Sequence, residues 1–232
     1  KYVGIFLVMG LINAALPFAF VAWSEKYISS GMASILNSTV PFFTLLIAPF
    51  FIPKERITLL KMIGMLLGLG GIVLLMSNKV TENFLNFGIG QVLMLLAAIS
   101  YASAAVYVRK KAPELEPEWQ SFLQMGSAFI ILLPAAILLD GGIALPRLPL
   151  TWLAIIWMGV MGSCISLMIF FDLLRTVGPT KTTLTSYLFP VTGVILGILF
   201  LGEQIDLRMI YSGVIILIGV MMVNQPEKRV YV

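Results

Sequence analysis

Two prolines interrupt long apolar stretches, and each follows a polar residue by four positions: Asn37 precedes Pro41, and Ser186 precedes Pro190. A proline inside a helix has no N–H to donate and frees the carbonyl four residues back, so the freed acceptors belong to Asn37 and Ser186. Ser34 and Thr183 stand one turn earlier, and Ser38 and Tyr187 follow directly. Freed carbonyls with neutral polar side chains suit hydrogen bonding to a small polar solute. The same side chains serve equally to bond back to their own helix or to join two helices, and the residues alone leave both roles open.

Other polar residues are candidates for the same work. Ser100, Ser103 and Tyr107 recur at helical spacing on one face, with Tyr101 turned away. Ser163 and Ser166 do likewise, although Gly159 and Gly162 beside Ser163 favour close helix packing there. Asn13 and Gln91 are further cavity candidates. Of the ionisable residues, Glu25 and Asp172 lie near the ends of apolar runs. They read either as interfacial ion pairs with Lys26 and Arg175 or as proton-coupling groups. The sequence holds no His and one cysteine, Cys164. It therefore offers no metal cluster, no internal disulfide and no nucleophile with an evident base. No phosphate-binding loop is present to harness ATP, and no cofactor is called for.

The elements that position these residues follow from composition. The chain has 232 residues, of which 59% are hydrophobic and 11% charged, with mean hydropathy +1.01. A soluble domain carries about 25% charged residues, so lipid must be the solvent. Eight apolar runs, 2–23, 31–52, 58–76, 90–108, 119–139, 150–171, 182–201 and 207–224, each approach the ~20 residues a helix needs to cross a bilayer. Alternating sides at each span puts eleven Lys and Arg residues, Lys1 among them, on one side and four on the other. That asymmetry places both ends of the chain in the cytoplasm. The charge of +4 needs no nucleic acid partner.

A shift of 149 residues superposes parts of the chain without gaps. Met9-Gly10 returns as Met158-Gly159, Lys26 as Arg175, Pro41 as Pro190, Phe51 as Phe200, Gly64 as Gly213 and Gly70 as Gly219. Spans one to three thus match six to eight, which makes the unit five helices and inverts the second copy relative to the first. The expected organisation is 1–78 as the last three helices of one repeat and 79–89 as a connecting loop. Residues 90–225 form a complete second repeat and 226–232 a cytoplasmic tail. On this reading two helices, roughly 60 residues, precede the sequence in a ten-helix whole. Gly64-x-x-x-Gly68 and Gly193-x-x-x-Gly197 have the spacing of close helix contacts, with Gly68, Gly70 and Gly71 thinning one face. Trp23, Trp119, Trp152 and Trp157 are expected at the membrane interfaces.

The stretch from Ala22-Trp23-Ser24-Glu25-Lys26 to Val40-Pro41 resembles the EamA domain of the drug/metabolite transporter superfamily. So does its echo from Gly178-Pro179 through Ser186-Tyr187-Leu188-Phe189-Pro190 to Phe200-Leu201-Gly202-Glu203, with the closing Gly213…Gly219. The first copy departs from the usual Leu-Gly-Glu by reading Pro53-Lys54-Glu55. The resemblance implies an all-α integral membrane fold of two inverted five-helix repeats, and export or exchange of small metabolites across a bacterial inner membrane. Glu203 and Asp206 then fix a turn. The partners expected are membrane lipid and a small neutral or zwitterionic, amino-acid-like solute, with a homodimer as an option. Two other classes stay in view, an intramembrane enzyme and a non-transporting scaffold.

Overall fold

In the computed structural model, residues 2–28, 30–53, 55–76, 88–140, 148–201 and 207–225 are described. Most of the 79–89 connection, the 226–232 tail and the Glu203–Asp206 turn lie outside them, and so do the side-chain surroundings of Gly193 and Gly197. Among the described residues every regular element is helical. α1 (Val3–Ser24) is the first span. α2 (Ser30–Asn37) and α3 (Val40–Phe51) are two halves of the second, followed by α4 (Leu59–Met76), α5 (Ile89–Lys111), α6 (Pro117–Asp140) and α7 (Pro149–Val177). α8 (Pro179–Thr183), a 3₁₀ turn (Leu184–Tyr187) and α9 (Leu188–Leu201) form the seventh span, and α10 (Leu207–Asn224) the eighth. Val3–Ser24, Met32–Phe51, Ile89–Lys111, Pro117–Leu138 and Pro149–Val177 are each long and apolar enough to cross a membrane. The protein is therefore a multi-pass, all-α membrane protein.

Helix boundaries follow local chemistry. Pro149 opens α7, where a missing N–H costs nothing. α7 ends at Gly178, whose φ of +86° is the left-handed conformation that glycine adopts freely, and Pro179 then starts α8. The prolines Pro41 and Pro190 differ in position from the mid-helix expectation. The second span breaks earlier, at Ser38-Thr39, leaving Pro41 in the first turn of α3. The seventh tightens to 3₁₀ over Leu184–Tyr187, leaving Pro190 as the third residue of α9. The prolines well inside helices are Pro17 in α1, directly after its irregular stretch, Pro49 in α3 and Pro134 in α6.

Two further irregularities are π-helical: Leu11–Ala15 inside α1 and Met158–Ile165 inside α7. The 149-residue shift carries 11–15 onto 160–164, so both fall at the same place.

The tightest seam joins α4 to α10. A Cβ added to Gly64 would lie 2.7 Å from the Gly219 carbonyl oxygen, and one added to Gly219 would lie 2.5 Å from that of Gly64. Gly68 accepts the ring of Tyr187, and Gly71 lies against Ile216. Gly70, expected on this face, instead faces open space, because it is two residues out of the 64–68–71 stripe. A second core packs Phe6 and Met9 of α1 and Ala104 of α5 with Phe171 and Leu174 of α7. Trp23, Trp119 and Trp152 are exposed near helix ends. Trp157, equally exposed, lies farther inside α7, against the π stretch. Among the described residues, Glu55 and Lys61 pair at 4.0 Å, whereas Glu25 with Lys26 and Asp172 with Arg175, the expected pairs, do not come that close.

Substituting Gly219→Leu will drive a side chain into backbone and cost about 1–3 kcal/mol. Gly70→Ala will be neutral or slightly stabilising, by up to about 1 kcal/mol. Thermal unfolding of the two purified variants in the same detergent checks the contrast.

Candidate functional site

A cavity of about 480 Å³ lies where the irregular helices meet. α1 contributes Asn13, Ala14 and Phe18, the second span Asn37 and Val40, α5 Tyr101, and α6 Gln124 and Met125. α7 contributes Gly162, Ser163, Ser166 and Phe170, and the seventh span Thr183, Thr185, Ser186 and Phe189. Each of the four backbone irregularities supplies part of this wall. Non-helical backbone at membrane depth is tolerated where protein covers it or where it lines a cavity, and this arrangement meets that condition. Among the described residues no lining side chain is charged.

The irregularities are stabilised locally. In α1 the Leu16 N–H donates to the Leu11 carbonyl, five residues back. In that register the Ile12 carbonyl would await residue 17, which is a proline with no N–H. The Ser100 hydroxyl of α5 donates to it instead. At the second-span break the Ser38 N–H donates to the Ser34 and Ile35 carbonyls, and the Thr39 N–H to the Leu36 carbonyl. The Ser38 hydroxyl donates to the Ser34 carbonyl at 2.8 Å and the Thr39 hydroxyl to the Leu36 carbonyl at 2.6 Å. In the seventh span Thr183, Thr185 and Ser186 each donate to a carbonyl three or four residues back.

Asn37, Thr183 and Ser186, three of the expected site residues, line the cavity together, as do Asn13, Ser163 and Ser166. Ser163 thus faces the cavity, and a Cβ added at Gly159 or Gly162 would meet nothing within 4 Å, in place of the packing expected there. Ser34 and Ser38 do not reach the cavity; they are joined to each other in the wall behind it. Tyr187 is fully buried, and its hydroxyl donates to the Met65 carbonyl at 2.9 Å across to α4. Ser103 and Tyr107 do not line the cavity. Tyr107 packs on the Phe6–Phe171 core. The serine-tyrosine stripe of α5 faces neighbouring helices, and Tyr101, expected to turn away, is the α5 residue at the cavity. Gln91 caps the start of α5, accepting the Gly88 N–H at 3.0 Å. Glu25 and Asp172 are exposed and do not line the cavity.

Gln124 was missed, although its signal was readable. Gln120, Ser121, Gln124 and Ser127 recur at helical spacing in an apolar run, and all four are buried. Such a stripe cannot face lipid. Neither the Asn37 Oδ1 nor the Gln124 Oε1 has a hydrogen-bond partner.

Comparison with known proteins extends this picture. The profile of the EamA-like transporter family matches residues 1–77 and 88–225. A protein of Escherichia coli strain K12 named as the uncharacterized inner membrane transporter YedA is 29% identical over 199 residues, covering 85% of this chain. The chain spans 63% of that relative's length. The uncharacterized transporter YoaV of Bacillus subtilis strain 168 is 21% identical over 220 residues, covering 94% of this chain and 74% of its own. A solved crystal structure shares the fold with TM-score 0.77 at 18% identity, covering 97% of this chain and 76% of that one.

Tyr187→Phe will lower stability by about 1 kcal/mol through loss of a buried hydrogen bond and leave ligand-induced thermal shifts intact. Asn37→Leu will do the reverse, abolishing the ligand-induced shift. Thermal unfolding with and without a transported solute separates the two roles.

Proposed function

The chain belongs to the EamA-like transporter family, and from that premise we propose that it is a secondary or facilitative transporter working by alternating access. Its solutes are small, neutral or zwitterionic and amino-acid-like, and its working direction is export. The observation that carries this reading is the uncharged, largely apolar cavity with a few amides and hydroxyls, assembled from irregular backbone of the first, second, sixth and seventh spans. A charged lining would select a counter-ion, whereas amides, hydroxyls and rings suit a solute without net charge. A non-transporting scaffold gains nothing from broken helices around a void. An intramembrane enzyme would need a reactive group at the cavity, and none of its lining residues among those described is a nucleophile with a base beside it.

The domain organisation belongs to the same proposal. Residues 1–78 and 90–225 are the partial and complete five-helix repeats, inverted about an axis in the membrane plane. In support, the π stretches overlap under the 149-residue shift, and the second-span break falls at the end of the seventh-span 3₁₀ turn. Both ends of the chain face the cytoplasm. In support, the basic groups of alternate loops gather at one end of the bundle. Lys110 stands 4.9 Å over the Phe51 ring, Glu55 lies against Gly178, and the Lys181 ammonium donates to the Asn224 carbonyl.

The test is flux. Full-length protein in liposomes loaded with labelled neutral amino acids will release them, and absence of movement of any solute sinks the reading. Gly162 lines the cavity, and a Cβ added there would meet nothing within 4 Å, so Gly162→Trp will block flux without lowering the unfolding temperature. If Asp172 couples protons, Asp172→Asn will abolish flux driven by a pH gradient and spare flux driven by solute alone. Unchanged pH dependence removes that role.

A further inference from the structure

Toward the end of the bundle proposed to face the cytoplasm, the cavity stops against packed helix. Residues 41–51 of the second span and 179–182 of the seventh lie between it and that end. There α8 packs against α3, α5 and α7. Thr44, Leu45 and Ala48 of α3 and Pro179, Thr180 and Thr182 of α8 are all buried. From the loop between α3 and α4, Glu55 bears on Gly178 and stands 4.0 Å from the Lys61 ammonium. Resting on the transporter reading, we propose that this seam between α3 and α8 is the reversible seal between cavity and cytoplasm, and that the Thr180 hydroxyl sets how readily it opens.

Thr180 differs from the other threonines beside it. The Thr44 hydroxyl donates to the Val40 carbonyl at 2.9 Å, that of Thr182 to Gly178 at 2.7 Å and that of Thr183 to Pro179 at 3.0 Å. Each uses a carbonyl four residues back, the usual resort of a threonine in a helix. The Thr180 Oγ1 is fully buried and has no partner. Its place in the chain explains this. Thr180 stands in the first turn of α8, and the carbonyls three and four residues before it belong to Val177 and Thr176. Those lie beyond Gly178, where φ is +86° and the chain leaves the path of α7. The turn that would accept the hydroxyl is therefore part of another helix.

A hydroxyl buried without a partner is unfavourable, because hydration has been lost and nothing replaces it. Water restores that hydration when α3 and α8 part, so the penalty applies only while the seal is shut. The populations of the shut and open states follow the free-energy difference between them. A seal weakened in its shut state alone opens more often than one of the same shape without the hydroxyl. Valine has that shape. In its place the seam keeps its packing and loses the penalty, so the seal holds longer.

Opening is read by cysteine labelling in full-length protein held in lipid nanodiscs. With its native cysteines, Cys164 among them, replaced by serine, Ala48→Cys puts one thiol at a position that is 0% exposed while the seam is shut. The probe is a charged, water-soluble maleimide. Labelling is expected, and adding Thr180→Val will slow it about tenfold and raise the unfolding temperature by about 2–4 °C. Thr180→Ser keeps a hydroxyl and will label faster than Thr180→Val. Thr192→Val makes the same chemical change at an exposed position of α9 and will not slow labelling. Labelling that is unchanged or faster in Thr180→Val overturns the proposal, as does a Thr180→Val protein less stable than its parent. So does an Ala48→Cys thiol that never reacts in protein that moves solute. Should Ala48→Cys fail to fold, Thr182→Cys on α8 carries the same measurement. Solute flux in liposomes with labelling indifferent to Thr180→Val defeats this inference alone; labelling that responds as expected without flux of any solute defeats the transporter reading.

Discussion

In hydrocarbon a backbone N–H or C=O has no water to turn to, and this constraint governs the whole structure. A continuous helix meets it trivially. Every departure from a continuous helix must therefore be compensated nearby. The π stretch in α1 shows how: the carbonyl that Pro17 leaves without a partner is taken up by Ser100 from α5. The break between α2 and α3 is compensated by the hydroxyls of Ser38 and Thr39. Beside these departures lies the cavity, which Asn37 and Gln124 also border. The site thus gathers where helices depart from regularity, and its few polar groups are amides and hydroxyls rather than ions.

Rigid packing surrounds that relaxed region. The glycine seam of α4 and α10 brings backbone against backbone, which yields close van der Waals contact where lipid and side chain offer equal apolar surroundings. Tyr187 ties the seventh span to this seam through the Gly68 notch and the Met65 carbonyl. The 3₁₀ turn is therefore anchored on one side and open to the cavity on the other through Thr185 and Ser186. Along the middle of α7, by contrast, a Cβ added at Gly159 or Gly162 would meet open space, and Trp157 and Met158 are exposed.

Much of this was legible in the residues. The apolar runs fall within a few residues of the helices, since composition and loop prolines suffice to set them. The pairing of Asn37 with Ser186 through the 149-residue shift pointed to two residues that do share a cavity. Other features were not legible, each for a physical reason. The π stretches leave no periodic trace, because one extra residue per turn does not change the apolar composition of a run. Tyr101 was turned to the wrong side because the Ser100–Ser103–Tyr107 stripe marks a helix seam, and polar residues in membranes serve seams and cavities alike. Tyr187 reads as a ligand residue by its neighbours, yet the notch at Gly68 lies more than a hundred positions away and only folding brings it there. The sixth span outran its expected end because Arg175 and Thr176 are polar and yet helical up to Gly178.

The length of α7 has a mechanical consequence. At 29 residues it extends about 43 Å along its axis, well beyond the ~30 Å of hydrocarbon it must cross. Such a helix leans or overhangs, and its lean is set by the thickness of the bilayer around it. Since α7 carries one wall of the cavity, acyl-chain length becomes a lever on that wall. The lipid is then part of the working dimensions of the site rather than only its solvent.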